Sequence, residues 1–362
     1  MTGLPRKQSP VNPARCAIDI TYPAYRTKLG SCPISITSDN PAAVLAAVPA
    51  LLGFYPINSL VAIGLPDITA ADVPVVLRMD PPRPDNIDEM LRHLVLPLAQ
   101  HQVNSVVLVI VADDSDPAWR AVLLECVSLM QAVDIAVVMQ IWTNAIQTGW
   151  RWWCGQELAY GGVQGEIAAT TASMVSAGWP VSARREDIAV PLAADPAAAL
   201  ARRASLLAAQ QQDPTSDPAK AGRALLDRVR SALDTTSVDD VALTDVDVVE
   251  LTVALADHRV RDACLHIEQL ADQLRAERLW TALTRATPAP HRAEPASMLA
   301  FLAYSRGHSV LAGIAITLAE AANPDHGLSG LLRSALTIGL KPDRIMTAGA
   351  LAAQLAEEAL GT

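Results

Sequence analysis

The chain has 362 residues, enough for two domains and a sizeable core. A net charge of −10 and a pI near 5.2 argue against a sequence-independent binder of nucleic-acid phosphates, which presents a basic face. Hydrophobic residues make up 51% and mean hydropathy is +0.24, yet no stretch approaches the ~20 apolar residues of a membrane helix.

The five cysteines, Cys16, Cys32, Cys126, Cys154 and Cys264, are odd in number and widely spread. No C-x-x-C pair occurs, so neither a disulfide framework nor a zinc knuckle is indicated. The N-terminus lacks the roughly 7–15-residue apolar core of a secretory signal, and a cytoplasmic protein is expected.

Residues 1–32 hold Pro5, Pro10, Pro13 and Pro23 among scattered basic residues and lack apolar periodicity. They read as a disordered tail, dispensable for folding. An α/β domain over 33–212 follows. It opens with a short strand at 34–37. A helix then starts at Asp39-Asn40-Pro41, with Val44, Leu45, Val48, Leu51 and Leu52 at helical spacing. Pro49 predicts a kink or fresh start, and Gly53 ends the helix.

The run from Leu60 to Leu65 suits a buried strand. Residues 73–79 form a second strand too close in sequence for a parallel crossover, so the two pair antiparallel. A helix over 86–101, bent or cut short by Pro97, leads to Ser105–Val111. This run, SVVLVIV, is the most buried-looking strand and predicts a central position between parallel partners. A helix over 117–131 behind Asp116 and a strand over 135–142 follow, with residues 150–154 as a hairpin partner. Residues 166–177 read as a helix, and Asp195 caps another through Gln210. The pattern predicts a three-layer α/β fold with a mixed, mostly parallel sheet.

The Pro-, Asp- and Gln-rich stretch around 211–222 reads as a linker, with 213–222 as its core. Beyond it everything reads as helix: an all-α domain over 223–345 and a helical tail over 346–362. Thr244 and Asp247 have capping-box spacing. Helices follow near 258–267, 269–285, 295–306, 308–322 and 327–339. Gly307 separates two of them. Ala312, Ile316, Ala319 and Pro324 then fall at the spacing of the second helix of a tetratricopeptide repeat, or of an ordinary antiparallel pair.

Several segments together resemble the actinobacterial domain-of-unknown-function 4192 family. They are the helix ending AAVPALLGF with the following P-x-x-SLV, Asp116-Pro117-Ala118-Trp119-Arg120, and Arg151-Trp152-Trp153. Ala256-Asp257, Arg259-Val260-Arg261-Asp262-Ala263, Leu279-Trp280 and Leu299-Ala300-Phe301-Leu302-Ala303 complete the set. The resemblance implies a fold and no activity. The continuation Cys154-Gly155 departs from the more polar sequence usual in the family.

Chemistry is best sought after the central strand, since ligands of open α/β sheets bind outside the carboxyl ends of strands. Asp113 and Asp114 stand there and offer a cation site or a base; the alternative is a solvated turn beside a helix cap. Asp80 joins them only if strand topology brings it to the same end. In Trp150-Arg151-Trp152-Trp153, strand alternation puts Arg151 and Trp153 on one face and Trp150 and Trp152 on the other. Arg151 suits an anion and Trp152 a planar ligand, against the alternative of core plus covered edge. Tyr160-Gly161-Gly162-Val163 reads as a turn, not a phosphate cradle. No metal-ligand spacing and no cofactor motif is found.

Two functions stand open. One is a non-enzymatic binding or adaptor protein with a protein partner on the helical domain and neither nucleic acid nor membrane. The other is a metal-assisted hydrolase or phosphoryl-transfer enzyme using Asp113 and Asp114.

Overall fold

A computed structural model describes residues 18–21, 40–65, 75–80, 87–113, 117–155, 160–165, 167, 172, 181–210, 217–236, 241–267 and 270–361. The first of these is a correction. The expected tail holds a strand, β1 (Ile18–Thr21), antiparallel to the later β3 with Ile18 opposite Met79 and Thr21 opposite Val76. Thr21 is buried. Four residues are too few to show periodicity, which is why composition misled. The strand expected at 34–37 and, save for residues 167 and 172, the helix expected at 166–177 lie outside the described residues.

Helix α1 (Pro41–Leu52) is capped by the Asn40 side chain, which accepts from the Ala43 N–H at 3.1 Å. It continues through Pro49 as one helix, so of the kink or fresh start expected there the fresh start does not occur; nine of its twelve residues are buried, which offsets the missing hydrogen bond. Gly53 stops it in the left-handed region at φ 87°, its N–H on the Pro49 carbonyl.

The strands that follow are β2 (Ser59–Leu65), β3 (Val75–Met79), β4 (Ser105–Val111), β5 (Ala136–Thr143), β6 (Arg151–Cys154) and β7 (Tyr160–Val163). Among the described residues they form with β1 one seven-stranded sheet of order β1-β3-β2-β4-β5-β6-β7. Only β4 and β5 pair in parallel, through the crossover helix α3 (Pro117–Ala132). The sheet is therefore mixed but not mostly parallel. The physical reason is loop length: the β2–β3 hairpin inserts β2 between β3 and β4, and short connections make β5-β6-β7 a meander. The glycines of 160–163, expected to turn, lie in β7.

The sheet has two buried faces. Leu60, Ala62, Val106, Leu108 and Ile110 point to α3 and to α2 (Ile87–Gln100), meeting Leu94, Leu98, Trp119, Val122, Leu123 and Met130. Val61, Ile63, Val107, Val109, Val111 and Ile141 point the other way, to Val44, Leu45, Val48 and Leu51 of α1. The three layers follow from that alternation.

A 3₁₀ segment, Arg185–Leu192, leads to α4 (Ala197–Ala209). Asp195 does not cap α4. Pro196 takes the N-cap position, and Asp195 accepts instead from buried Arg203 at 2.7 Å, with Arg285 at 3.4 Å. Arg203 also donates through Nε to Asp245 and through Nη1 to the Ala286 carbonyl. Part of the expected linker is structured: Asp217 caps α5 (Pro218–Thr235), while 211–216 lie outside the described residues.

The remaining helices are α6 (Asp245–Ala256), α7 (His258–Ala263), α8 (Leu270–Ala286), α9 (Ala293–Ser305), α10 (Ser309–Ala322), α11 (Gly327–Thr337) and α12 (Pro342–Leu360). Thr244 and Asp247 form the expected capping box of α6. Helices α9 and α10 are the expected pair, and Ala312, Ala315, Ile316 and Ala319 are buried. The tetratricopeptide reading does not carry over. All of α9 except Glu294 is buried, against α6, α8, α10, α11 and α12, whereas a solenoid repeat touches only its neighbours.

Among the described residues the two halves share packing. One apolar cluster runs from Leu60 and Leu108 through Trp119 to Leu226, Leu299 and Leu360, and α10 packs on β1. Gly339, at φ 69°, lies so close to α2 that a Cβ there would stand 2.8 Å from the Pro97 side chain. Beside it, His101 is buried, and its pKa is pushed down to about 4, by burial first and then by Lys341.

Two outcomes are expected. Deleting residues 1–21 strips the edge from β3 and should lower the melting temperature by more than a few degrees; an unchanged melting curve sinks the structural role of β1. His101 binds a proton more readily unfolded than folded, so its stabilisation is full above about pH 6.5 and is lost as pH falls towards 4. After allowance for solvent screening the loss is on the order of 2 kcal/mol, read by urea unfolding across that window, and His101→Gln should flatten it.

Candidate functional site

Strands β3, β4 and β5 all end on one edge of the sheet, because β2 between β3 and β4 reverses direction twice over. Strands β2 and β6 begin there. Register places Ser59 opposite Val111, Val111 opposite Thr143, and Thr143 opposite Trp152. The edge thus gathers Asn58, Ser59, Arg78, Asp80, Asp113, Thr143 and Arg151. Asp80 pairs through a hairpin and still reaches the end where Asp113 stands. The backbone lines of β3 and β4 are two strand spacings, about 10 Å, apart.

Most polar groups here hold the chain in place. Arg78, on a strand buried throughout, donates from Nε to Ser59 Oγ at 2.8 Å and from Nη2 to Asp80 Oδ1 at 2.6 Å. Ser59 Oγ in turn donates to the Ile57 carbonyl at 2.8 Å and is fully buried, so it is not presented as a nucleophile. Asn58, at φ 46°, accepts from the Trp119 indole at 2.9 Å. Gln164, also buried, donates to Thr143 Oγ1 and to the Ala145 carbonyl and accepts from Gln147 N–H, closing the loop before β6.

Asp113 is exposed just past β4, and Asp114 lies outside the described residues. Arg151 is exposed at the start of β6. The expected alternation holds: Trp152 packs against the α1 cluster and Trp153 against the opposite one. The Trp152 indole lies over Gly162, where a Cβ would stand 2.7 Å from Cζ2. The sheet therefore brings Asp113 and Arg151 to one edge, with β5 between them, and turns the Trp152 ring to packing. No group of three His, Cys, Asp or Glu suited to a metal occurs among the described residues.

A second candidate site was not anticipated from the sequence. A cavity of about 300 Å³ opens between the last turns of α5, the chain joining α7 to α8, and α12. Leu233, Ala263 and Ile267 supply the apolar part of its mixed lining. Around them stand Arg230, paired with Glu357 at 2.7 Å, and Arg275, paired with Asp272 at 3.1 Å. A neighbouring hollow of about 360 Å³ shares Ala263, His266 and Glu357 and continues along α12 past Leu351 and Gln354. The Cys264 thiol in the wall is buried and pushed up to about 12 by burial, so it stays protonated and inert. Its residues range from 230 to 357 in sequence, and no local pattern joins them.

The role of Gly162 is checked by Gly162→Ala. Displacing the Trp152 ring should cost about 1–3 kcal/mol and change the near-ultraviolet tryptophan signal. An unaltered spectrum and stability would remove the ring from this packing role.

No helix among the described residues is long and apolar enough to cross a membrane. No curated protein and no solved structure matches the chain. A family model described as a domain of unknown function, DUF4192, matches residues 41–343, which takes in both the sheet edge and most of the helical groove. The chain belongs to the DUF4192 family.

Proposed function

We propose that this chain is a non-enzymatic binding or adaptor protein that takes a peptide segment of a protein partner in the groove between α5, the α7–α8 connection and α12. The observation that carries the reading is the groove's build: an apolar patch of Leu233, Ala263 and Ile267 set among charges of both signs. Such a surface suits an apolar anchor flanked by polar residues, the usual economy of a protein contact. The test is a photo-crosslinking residue at Ile267, with the same residue at exposed Leu124 of α3 as control. A discrete adduct from Ile267, absent from Leu124 and lost with Arg275→Glu, is expected. Equal labelling at both positions would overturn the reading.

One observation favours a second reading, metal-assisted hydrolysis or phosphoryl transfer: Asp80 and Asp113 reach the same edge, at the ends of β3 and β4. Thermal unfolding against divalent metals and nucleotides separates the two. A ligand at 100 Kd adds about 2.7 kcal/mol to the native state. Asp113→Asn with Asp114→Asn should abolish such a gain if the carboxylates hold a cation. If they only solvate a turn, the pair of changes should cost about 0.5 kcal/mol or less and no metal effect will exist.

A further inference from the structure

Helix α12 is amphipathic on two sides. Ile345, Gly349, Ala353, Ala356 and Leu360 are buried; Gly349 lies so close to α9 that a Cβ there would meet the Phe301 ring. On the outer side Arg344, Ala348, Leu351, Leu355 and Glu358 recur alternately four and three residues apart, and all five are exposed. Leu351 and Leu355 are 58% and 56% exposed. Steps of four and three are the seam of a helix that packs along another helix, and Leu351, which also borders the hollow beside the groove, stays more than half exposed in the folded chain. Most of α12 lies beyond the family match, which ends at residue 343.

The charges say what the seam fits. Arg344 makes no ion pair among the described residues, and Glu358 is bonded only to its neighbour Gln354, at 3.1 Å. Arg344 and Glu358 stand equally far from Leu351 along the helix, one on each side. If a second α12 lies antiparallel across this seam with its two-fold axis near Leu351, each Arg344 meets the Glu358 of the other helix and the leucines meet between them. A parallel pair would set Arg344 against Arg344 and Glu358 against Glu358. The antiparallel pair also opposes the helix dipoles favourably. An isologous contact needs such a self-complementary patch, and this one is centred on its own axis.

We infer that the outer face of α12 binds a second copy of this chain, two α12 helices packing antiparallel about Leu351 with Arg344–Glu358 pairs at both ends. The contact is modest. A helix of 19 residues is about 28 Å long, and one such seam falls short of the ~800 Å² per partner of a stable complex, so dimer and monomer exchange with concentration. This inference goes beyond the groove reading and does not rest on it.

The test is sedimentation velocity of the full chain over a wide concentration series, with circular dichroism to check that each variant is folded. The parent chain should pass from monomer to dimer as concentration rises, and Leu351→Glu should hold it monomeric. Arg344→Glu and Glu358→Arg should each weaken the dimer about tenfold. The double exchange Arg344→Glu with Glu358→Arg should restore it, because the two residues are too far apart in one helix to meet except across the two-fold. A chain monomeric at every concentration, a dimer indifferent to Leu351→Glu, or a double exchange without rescue would each overturn the proposal. So would a monomer that crosslinks through Leu351 to a different protein. A monomer that still crosslinks a partner through Ile267 overturns the dimer and leaves the groove reading standing.

Discussion

Strand β4 carries seven side chains and none of them meets water. A strand buried on both faces cannot be stable alone or under one cover. Burying each of its valines and leucines is worth about 1.5–3 kcal/mol, and that gain exists only while helices lie on both sides. The rest of the α/β half answers this requirement. Helix α1, apolar on nearly every side, seals one face; α2 and α3 seal the other. Its neighbours β2 and β5 protect its edges, one antiparallel and one parallel.

The helical half extends the same core. Helices α2 and α3 have apolar surface on the sheet side and contribute to a cluster that continues into α5, α9 and α12. Contacts at the seam are close: Gly339 against Pro97, buried His101 beside it, and Arg292 donating to the Leu192 carbonyl at 2.7 Å. Arg203 binds Asp195, Asp245 and the Ala286 carbonyl, and so ties α4 to the ends of α6 and α8. Buried charges of this kind lose much on truncation, since each leaves its partners unpaired.

The two candidate sites differ in what their polar groups are doing. At the sheet edge, Arg78, Ser59, Asn58, Thr143 and Gln164 are engaged in bonds that fix loops. In the helical groove the charged groups form partly exposed ion pairs around apolar surface. Such pairs contribute little to stability and exchange readily with groups of an arriving partner.

The sequence by itself determined the elements whose signal is local. Alternating and continuous apolar runs marked β2, β4 and β5; Asn40, Gly53, Thr244 and Asp247 marked helix ends; the order of motifs marked the family. Strand alternation also told correctly which faces Trp152 and Trp153 would take. What it could not supply were facts that depend on pairing between distant residues. Strand order was one: short connections correctly told that β2 and β3, and β5 and β6, pair antiparallel, but the place of the β2–β3 hairpin beside β4 is recorded by no local pattern. Strand β1 was another: Ile18–Thr21 gains its stability from β3, not from its own four residues. The common core was missed because apolar residues on α2 and α9 show that each helix buries a face, not which neighbour covers it. The groove was invisible for the same reason, since Arg230, Ile267, Asp272 and Glu357 become neighbours only when α5, α8 and α12 pack, and tertiary structure alone brings them together.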